Sequence, residues 1–568
     1  MHNWQIQSPY HYNPEKKDSL ENLIKSILKN RGITKEEDIE SFLHPDLKNI
    51  NLSKLKINLR EMDKAVIRIK KAVKNRESII VYTDYDVDGI VSGAIIWETL
   101  YKQGANIMPY VPNRFSDGYG LSKKAINKVR KKFNPSLIFT VDHGITAVNE
   151  ISYARKMGID TIVIDHHLIP AKNPNAHALI HSTMLTAAGL TWIFVNYLTS
   201  KTNEKFLDIV ALATVADMIP LINENRILVT FGLEQINKTR RLGLNSLIES
   251  SGLAKGEIDT FSLSHILAPR LNASGRMEDG LDSLRLLCTK DKDRADELAQ
   301  KLNSVNRSRQ LLTKDSLDLA HSKIKKTENL IFVESENFHQ GIIGLIAGKL
   351  VEKYNRPAIV VSINSIFCKA SARSVKGINI VELIKTSSAI LVDVGGHPMA
   401  AGFTVRKSNL KKLKENLLSA SQKIIKIDDL VEKKLVDLEL DIAFVNEDLY
   451  RKISSLVPFG QGNPQPLFVS YKNTVVDFSL VGREKNHLKL TLASAKNPEK
   501  LVSAIAFNFS ALFPSLDLGT PLDIIYQIEK DNWHGLSRLI LKLKDVRLTA
   551  NSSYEKNYSV NHGNPASG

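Results

Sequence analysis

The chain has 568 residues, 43% of them hydrophobic and 24% charged. That length exceeds what one core supports and predicts three or four domains, while the ordinary composition excludes a disordered or collagen-like chain. Lys and Arg number 77 against 61 Asp and Glu, a net charge of +16 that favours polyanionic partners, nucleic acid or an anionic membrane surface.

The two cysteines, Cys288 and Cys368, exclude a disulfide framework and point to a reducing compartment. The opening MHNWQIQSPYHYNPEKK has no apolar stretch of signal-peptide kind, and the longest apolar run, Ile90–Trp97, is broken by Ser92 and Gly93 and too short to span a bilayer. A cytoplasmic protein without membrane contact is expected.

In chain order, the apolar run Ile79–Thr83 predicts a strand, DYDVDG a carboxylate-rich loop, and Ile90–Leu100 a helix. The order repeats: a strand over Leu137–Val141 ends at Asp142 before a helix through Ala147–Met157, and a strand over Thr161–Ile164 ends at Asp165-His166-His167. Strands alternating with helices imply a mostly parallel sheet, whose functional residues gather at the carboxyl ends of the strands. From Leu281 to Lys326, apolar positions at helical spacing without Gly or Pro predict a stiff helical connector. A second βα region follows: strands at Leu330–Val333 and Ala358–Ser362, helices through Ile343–Tyr354 and near Ile380–Ala389, then a basic helix over Lys407–Lys426. From Leu435 short alternating strands (Thr474–Val481, His487–Leu492, Ser503–Phe507, Leu539–Val546) suggest a small barrel, and the polar stretch 551–568 suggests a disordered tail.

Asp84, Asp86 and Asp88 alternate within five residues, and such carboxylates can converge on a cation. Alone, the pattern is first read as a solvated turn. Asp142-His143 and Asp165-His166-His167 shift that reading, since their strands bring them to the same sheet edge. Asp217 ends the apolar helical run LDIVALATVADMIPL, where a lone carboxylate needs a partner unless it merely caps the turn before Pro220. Oxygen and imidazole donors without sulfur favour Mn²⁺ or Mg²⁺ over structural zinc.

In that order, DYDVDG, VDHGIT, IDHH and TVADMIPL resemble the successive motifs of the DHH phosphoesterase superfamily. APRLNASGRM, HQGIIGLIAGKLVEKYNRPAIV, ASARS and GGHPMAAGF are similar to the RecJ pattern, including its DHH-associated second domain. VPFGQGNPQPLF and NHLKLTL resemble the RecJ oligonucleotide-binding domain.

The resemblance implies an α/β fold with these parts: an N-terminal segment (1–50), a parallel-sheet DHH catalytic domain (51–280), connector helices (281–328), a smaller α/β DHH-associated substrate-binding domain (329–428), an OB-type β-barrel (429–550) and the tail. It implies a 5′→3′ exonuclease specific for single-stranded DNA, working in repair and recombination with two divalent cations, Mn²⁺ or Mg²⁺, and releasing 5′-mononucleotides. Asp86 and Asp88 match the metal-binding pair, with Asp84 assisting. Asp142 matches the bridging carboxylate, and His166 and Asp217 match ligands of the second metal. His167 matches the histidine near the reacting phosphate. Asp86, Asp142 and His167 are thus the expected catalytic residues.

Tyr82 stands where some members carry a histidine ligand, and His143 where the family has a small residue or Cys; whether His143 is a ligand or packs is open at this point. For substrate the resemblance points to Arg114, Arg276, Ser371 and Arg373, and to Gly395, Gly396 and His397, read as the start of a loop. Phe459 and Phe468 are read as stacking or core aromatics. A single-strand-binding protein and a RecQ-type helicase are the partners implied, and a monomer the expected state. The rival readings are a DHH phosphodiesterase acting on short or cyclic dinucleotides, an inorganic pyrophosphatase, and a scaffold that has lost its ligands.

Overall fold

The computed structural model describes residues 3–113, 117–118, 120–324, 328–531 and 537–549. They form two compact units. The first is His44–Glu432 together with Gly460–Gly462; the second combines the described residues up to Leu43, Lys433–Phe459 and those from Asn463 on.

The first unit opens with a five-stranded parallel sheet in the order Ile107–Tyr110, Ile79–Thr83, Leu137–Val141, Asp160–Asp165, Ala178–His181. Its central strands are continuous Val/Ile/Leu/Phe runs because both faces are covered. Ile79, Val81, Phe139 and Ile164 join one core with the helices Val87–Lys102, Ala187–Thr199 and Leu207–Ala216. Ile80, Tyr82, Ile138 and Val163 join another with Lys123–Phe133 and Val148–Lys156. By order of appearance the strands run 2-1-3-4-5. In such doubly wound sheets the crevice opens where the order reverses, here between Ile79–Thr83 and Leu137–Val141.

The expected connector consists of two helices, Leu281–Cys288 and the long Lys292–Ser322. The break is local capping: the Thr289 hydroxyl accepts from the Asp291 amide, and the Asp291 carboxylate from the Arg294 amide. The second helix has 31 residues, about 46 Å at 1.5 Å each. It leads to a mixed sheet ordered Leu391–His397, Ala400–Arg406, Phe367–Arg373, Ala358–Ser362, Ile331–Ser335. One face packs on the helices Ile380–Lys385 and Leu410–Ile424; the helix Ile343–Tyr354 covers only part of the other. Gly395, Gly396 and His397 therefore end an edge strand rather than begin a loop, paired with Gly402, Ala401 and Ala400.

In the second unit, Phe468–Val481 pairs with both His487–Ala493 and Pro521–Asp531, which closes a barrel through Leu501–Ala506 and Arg538–Leu548. Phe468 is fully buried against Tyr526, ring centroids 5.8 Å apart, so it is a core residue and not a stacking platform. The N-terminal strand Asn3–Ile6 runs parallel to Lys433–Val436. Among the described residues no helix is long and apolar enough to cross a membrane.

Candidate metal centre

The acidic residues meet at the switch point of the parallel sheet. Asp84 follows the strand Ile79–Thr83; Asp86 caps the next helix, accepting from the Gly89 amide at 3.1 Å; Asp88 lies in its first turn. The Asp88 carboxylate accepts the amides of Ala187 and Ala188, each at 2.8 Å, from the N-terminus of a neighbouring helix. Asp142 leaves its strand at φ 65°, a left-handed conformation that Asp and Asn tolerate better than most residues.

His166 joins the stretches: its Nε2 lies 3.2 Å from Asp142, 3.7 Å from Asp88 and 3.7 Å from Asp217. Three groupings place donor atoms within 4.8 Å of one another: Asp84, Asp86 and Asp142; Asp88, His166 and Asp217; and Asp142, His166 and His167. Asp142 belongs to two of them.

The electrostatics fit a cation. Burial, then the charges of Asp86, Asp88, Asp84 and Asp217, push Asp142 well above the usual carboxylate range. Burial, then Asp217 and Asp86, do the same to Asp88. Asp217, its side chain still 31% exposed, is pushed up to about 7 by desolvation and then Asp86. Such crowding of buried carboxylates is relieved by a divalent ion. Burial lowers His166 to about 4, leaving it neutral, the form that ligates metal. Among the described residues the donors gathered here are carboxylate oxygens and imidazole nitrogens, which suits Mn²⁺ or Mg²⁺.

His167 differs from its neighbour. Its Nδ1 donates to Asp165 at 2.7 Å, a bond that raises it to about 9 and so keeps it cationic. Asp165 is buried, which opposes its charge, yet the His167 bond and charge and the amides of Ile145 and His167 hold it down to about 2. In the sequence Asp165 belongs to the Asp165-His166-His167 cluster at a strand end but is given no role of its own; the signal of that role is its position two residues before His167. Asn272, which lies in the APRLNASGRM motif but is given no role of its own there, accepts the Val87 amide at 3.0 Å. Replacing Asp165 by Asn removes the charge that orients and protonates His167. The expected result is a kcat lowered about 10- to 100-fold with Mn²⁺ binding retained, measured by steady-state hydrolysis beside calorimetric titration.

Tyr82 and His143 face away from the cluster. The Tyr82 hydroxyl donates to the Gly120 carbonyl at 3.1 Å. The His143 Nε2 sits 3.1 Å from the Tyr82 carbonyl, its ring edge-on to Tyr82, and burial lowers it to about 4. His143 packs.

The expected substrate residues lie on neighbouring surfaces. Gly275 lies against the Tyr85 carbonyl, where a Cβ would come to 2.5 Å, and Gly341 lies against the Arg276 carbonyl, where it would come to 2.2 Å. The backbone around Arg276 thus runs between the acidic loop and the turn that precedes the helix Ile343–Tyr354. Ser371 pairs with Gly402, itself opposite Gly395; Arg373 pairs with Ala400, itself opposite His397. These two adjacent rows form one face of small residues with a guanidinium and an imidazole, and the Arg373 Nη1 donates to the Ser371 hydroxyl and the Ala372 carbonyl. Arg114 lies outside the described residues.

A 2-1-3-4-5 parallel sheet with clustered carboxylates and a neutral imidazole at its switch point, followed by a long helix and a second α/β sheet, defines a DHH-type phosphoesterase. Residues 78–214 match the model described as DHH family, N-terminal domain; 327–426 match the DHHA1 domain; 436–545 match the RecJ OB domain. The chain is 31% identical over 566 residues to the single-stranded-DNA-specific exonuclease RecJ of Bacillus subtilis (strain 168), covering 96% of this chain and 71% of that protein. Crystal structures of RecJ from Thermus thermophilus are similar to it: the Mn²⁺ complex at TM-score 0.81 and 25% identity, over 96% of this chain and 79% of that one; the Mg²⁺ complex at TM-score 0.76 and 23% identity, over 96% and 78%. The chain belongs to the RecJ family.

Proposed function

We propose that the chain is a metal-dependent exonuclease that degrades single-stranded DNA from the 5′ end and releases 5′-mononucleotides. The observation that carries this reading is the Asp142 carboxylate, shared between the Asp84–Asp86 grouping and the histidine grouping. Two divalent cations, Mn²⁺ or Mg²⁺, would be held by Asp84, Asp86 and Asp142 on one side and by Asp88, Asp142, His166 and Asp217 on the other. When bound, they supply the Lewis acidity that activates water and offsets charge on the attacking and leaving oxygens.

The chain's own side chains do the rest. Asp142 sets the spacing of the two positions. Asp86 and Asp88 present their carboxylates from a rigid helix start. Cationic His167, held by Asp165, offers a proton-bearing nitrogen to the reacting phosphate. Arg276, Ser371, Arg373, Gly395, Gly396 and His397 hold the strand's phosphates, the guanidinium forks bidentately and the glycines by leaving the backbone open to approach. Arg114 is assigned to the 5′ end. Replacing Arg373 by Lys loses the fork but keeps the charge; KM for DNA is expected to rise about tenfold with kcat little changed, in steady-state assays.

The domain plan follows the boundaries read from the sequence, with 51–280 catalytic, 329–428 and the 429–550 barrel binding the strand. A cytoplasmic monomer, acting in repair and recombination with a single-strand-binding protein and a RecQ-type helicase, completes the proposal. The test is digestion of end-labelled single strands with Mn²⁺ or Mg²⁺. Mononucleotides released first from the 5′ end, with blunt duplex resisting, support the reading; release first from the 3′ end, or equal attack on duplex, overturns it.

A further inference from the structure

Asp217 follows the last turn of the helix Leu207–Ala216. Its amide donates to the Ala213 carbonyl at 3.0 Å and that of Met218 to the Val215 carbonyl at 3.3 Å. Beyond Met218, at φ 58°, the chain turns into Pro220-Leu221 and leaves the helix's control. The return is held from far along the sequence. The Leu221 amide donates to the Gln461 carbonyl at 2.7 Å. Two glycines flank that bond and permit it: at Gly462, φ 72°, a Cβ would stand 2.7 Å from the Pro220 Cβ, and at Gly460 it would stand 2.6 Å from the Leu221 Cδ1. These three residues belong to the catalytic unit although the residues before and after them belong to the other.

We infer that Gly460-Gln461-Gly462 is a positioning element for the Asp217 carboxylate: it clamps the turn after the helix and so fixes where Asp217 meets the cation beside His166. This rests on the metal centre proposed above. A segment 240 residues away in sequence is held to the backbone a few residues past a ligand by a hydrogen bond and two close approaches. Burial of Leu221 alone, 1% exposed, needs neither a glycine at positive φ nor the Leu221–Gln461 bond. The left-handed Met218, on the exposed rim, shows that the turn is constrained by more than its own preference.

The test uses the full chain and reads Mn²⁺ binding directly, by calorimetry and by the electron paramagnetic resonance of free Mn²⁺. Gly462→Ala is expected to weaken one Mn²⁺ site about tenfold, in the range typical of outer partners of a metal ligand, while the other site keeps its affinity. Gly252→Ala, which imposes similar backbone strain at φ 73° with no atom within 4 Å of the added methyl, leaves both unchanged. In an Asp217→Asn background the Gly462→Ala effect disappears, because the clamp acts through that carboxylate. Should Gly462→Ala unfold the chain, Gly460→Ala, whose methyl meets only the end of the Leu221 side chain, gives the same weakening more mildly. Wild-type Mn²⁺ binding in a folded clamp variant, or an undiminished effect in the Asp217→Asn background, overturns the inference. A wild-type chain that binds no Mn²⁺ overturns the metal centre itself, and the two failures are told apart by the wild-type titration.

Discussion

Asp142→Asn is expected to lower Mn²⁺-dependent hydrolysis at least about 10³-fold, because several kcal/mol of charge stabilisation are lost at about 1.36 kcal/mol per decade of rate. Asn is preferred to Ala here: the left-handed backbone at φ 65° suits an Asn but strains an Ala, and the amide fills the same space. The variant should also melt no lower than the parent without metal. Asp142 is a buried carboxylate facing four others, so its charge costs stability until a cation arrives. Loss of activity with an unchanged or raised metal-free melting temperature separates this role from a structural one. Retained hydrolysis contradicts it.

The second large effect is the pH dependence of metal stabilisation. Asp217 is raised to about 7, and Asp88 and Asp142 well above the ordinary value of 3.8. Between pH about 4 and about 7 the folded metal-free chain therefore holds protons that the unfolded chain has released. Stability falls as pH rises wherever the folded state binds more protons, so these groups favour the fold below about pH 4; the share of Asp217 is lost as pH climbs through about 7, and Asp88 and Asp142 act in the same direction. Asp165, held down to about 2, works the other way, and its contribution is lost only as pH falls from about 4 towards 2. Mn²⁺ must displace the protons on the raised carboxylates, so its affinity and the stabilisation it brings grow from pH 5 to pH 8. A cation at a hundred times its Kd adds about 2.7 kcal/mol. Thermal melts with and without Mn²⁺ across that range should show a widening gap, and Asp142→Asn should flatten it. A gap independent of pH counts against the carboxylate cluster as the binding site.

Much of the site was legible because it is written locally. Each acidic cluster follows a strand whose apolar run is continuous, since both faces of a parallel sheet are buried, and the carboxyl end of such a strand is where the chain can expose a functional group. Asp84, Asp142 and His166 can be placed on that logic from the sequence alone. What escaped is non-local. The pairing of Asn3–Ile6 with Lys433–Val436 spans some 430 positions, and no pattern within either strand announces its partner. Gly395-Gly396-His397 looks like a turn because glycine marks turns, yet here it continues an edge strand beside the small residues Ala400–Gly402. Phe468 carried the same aromatic signal whether stacking or buried, and only packing against Tyr526 decides it. The role of Asp165 depends on which way a carboxylate points after its strand ends, and two backbone amides and the His167 ring settle that in three dimensions.

Anomalous diffraction at the manganese edge, from crystals grown with Mn²⁺, addresses the cation pair most directly. Two peaks are expected, one among Asp84, Asp86 and Asp142 and the other beside His166 and Asp217, with the Asp142 carboxylate between them. A single peak away from Asp142, or no peak at this sheet edge, contradicts that pair.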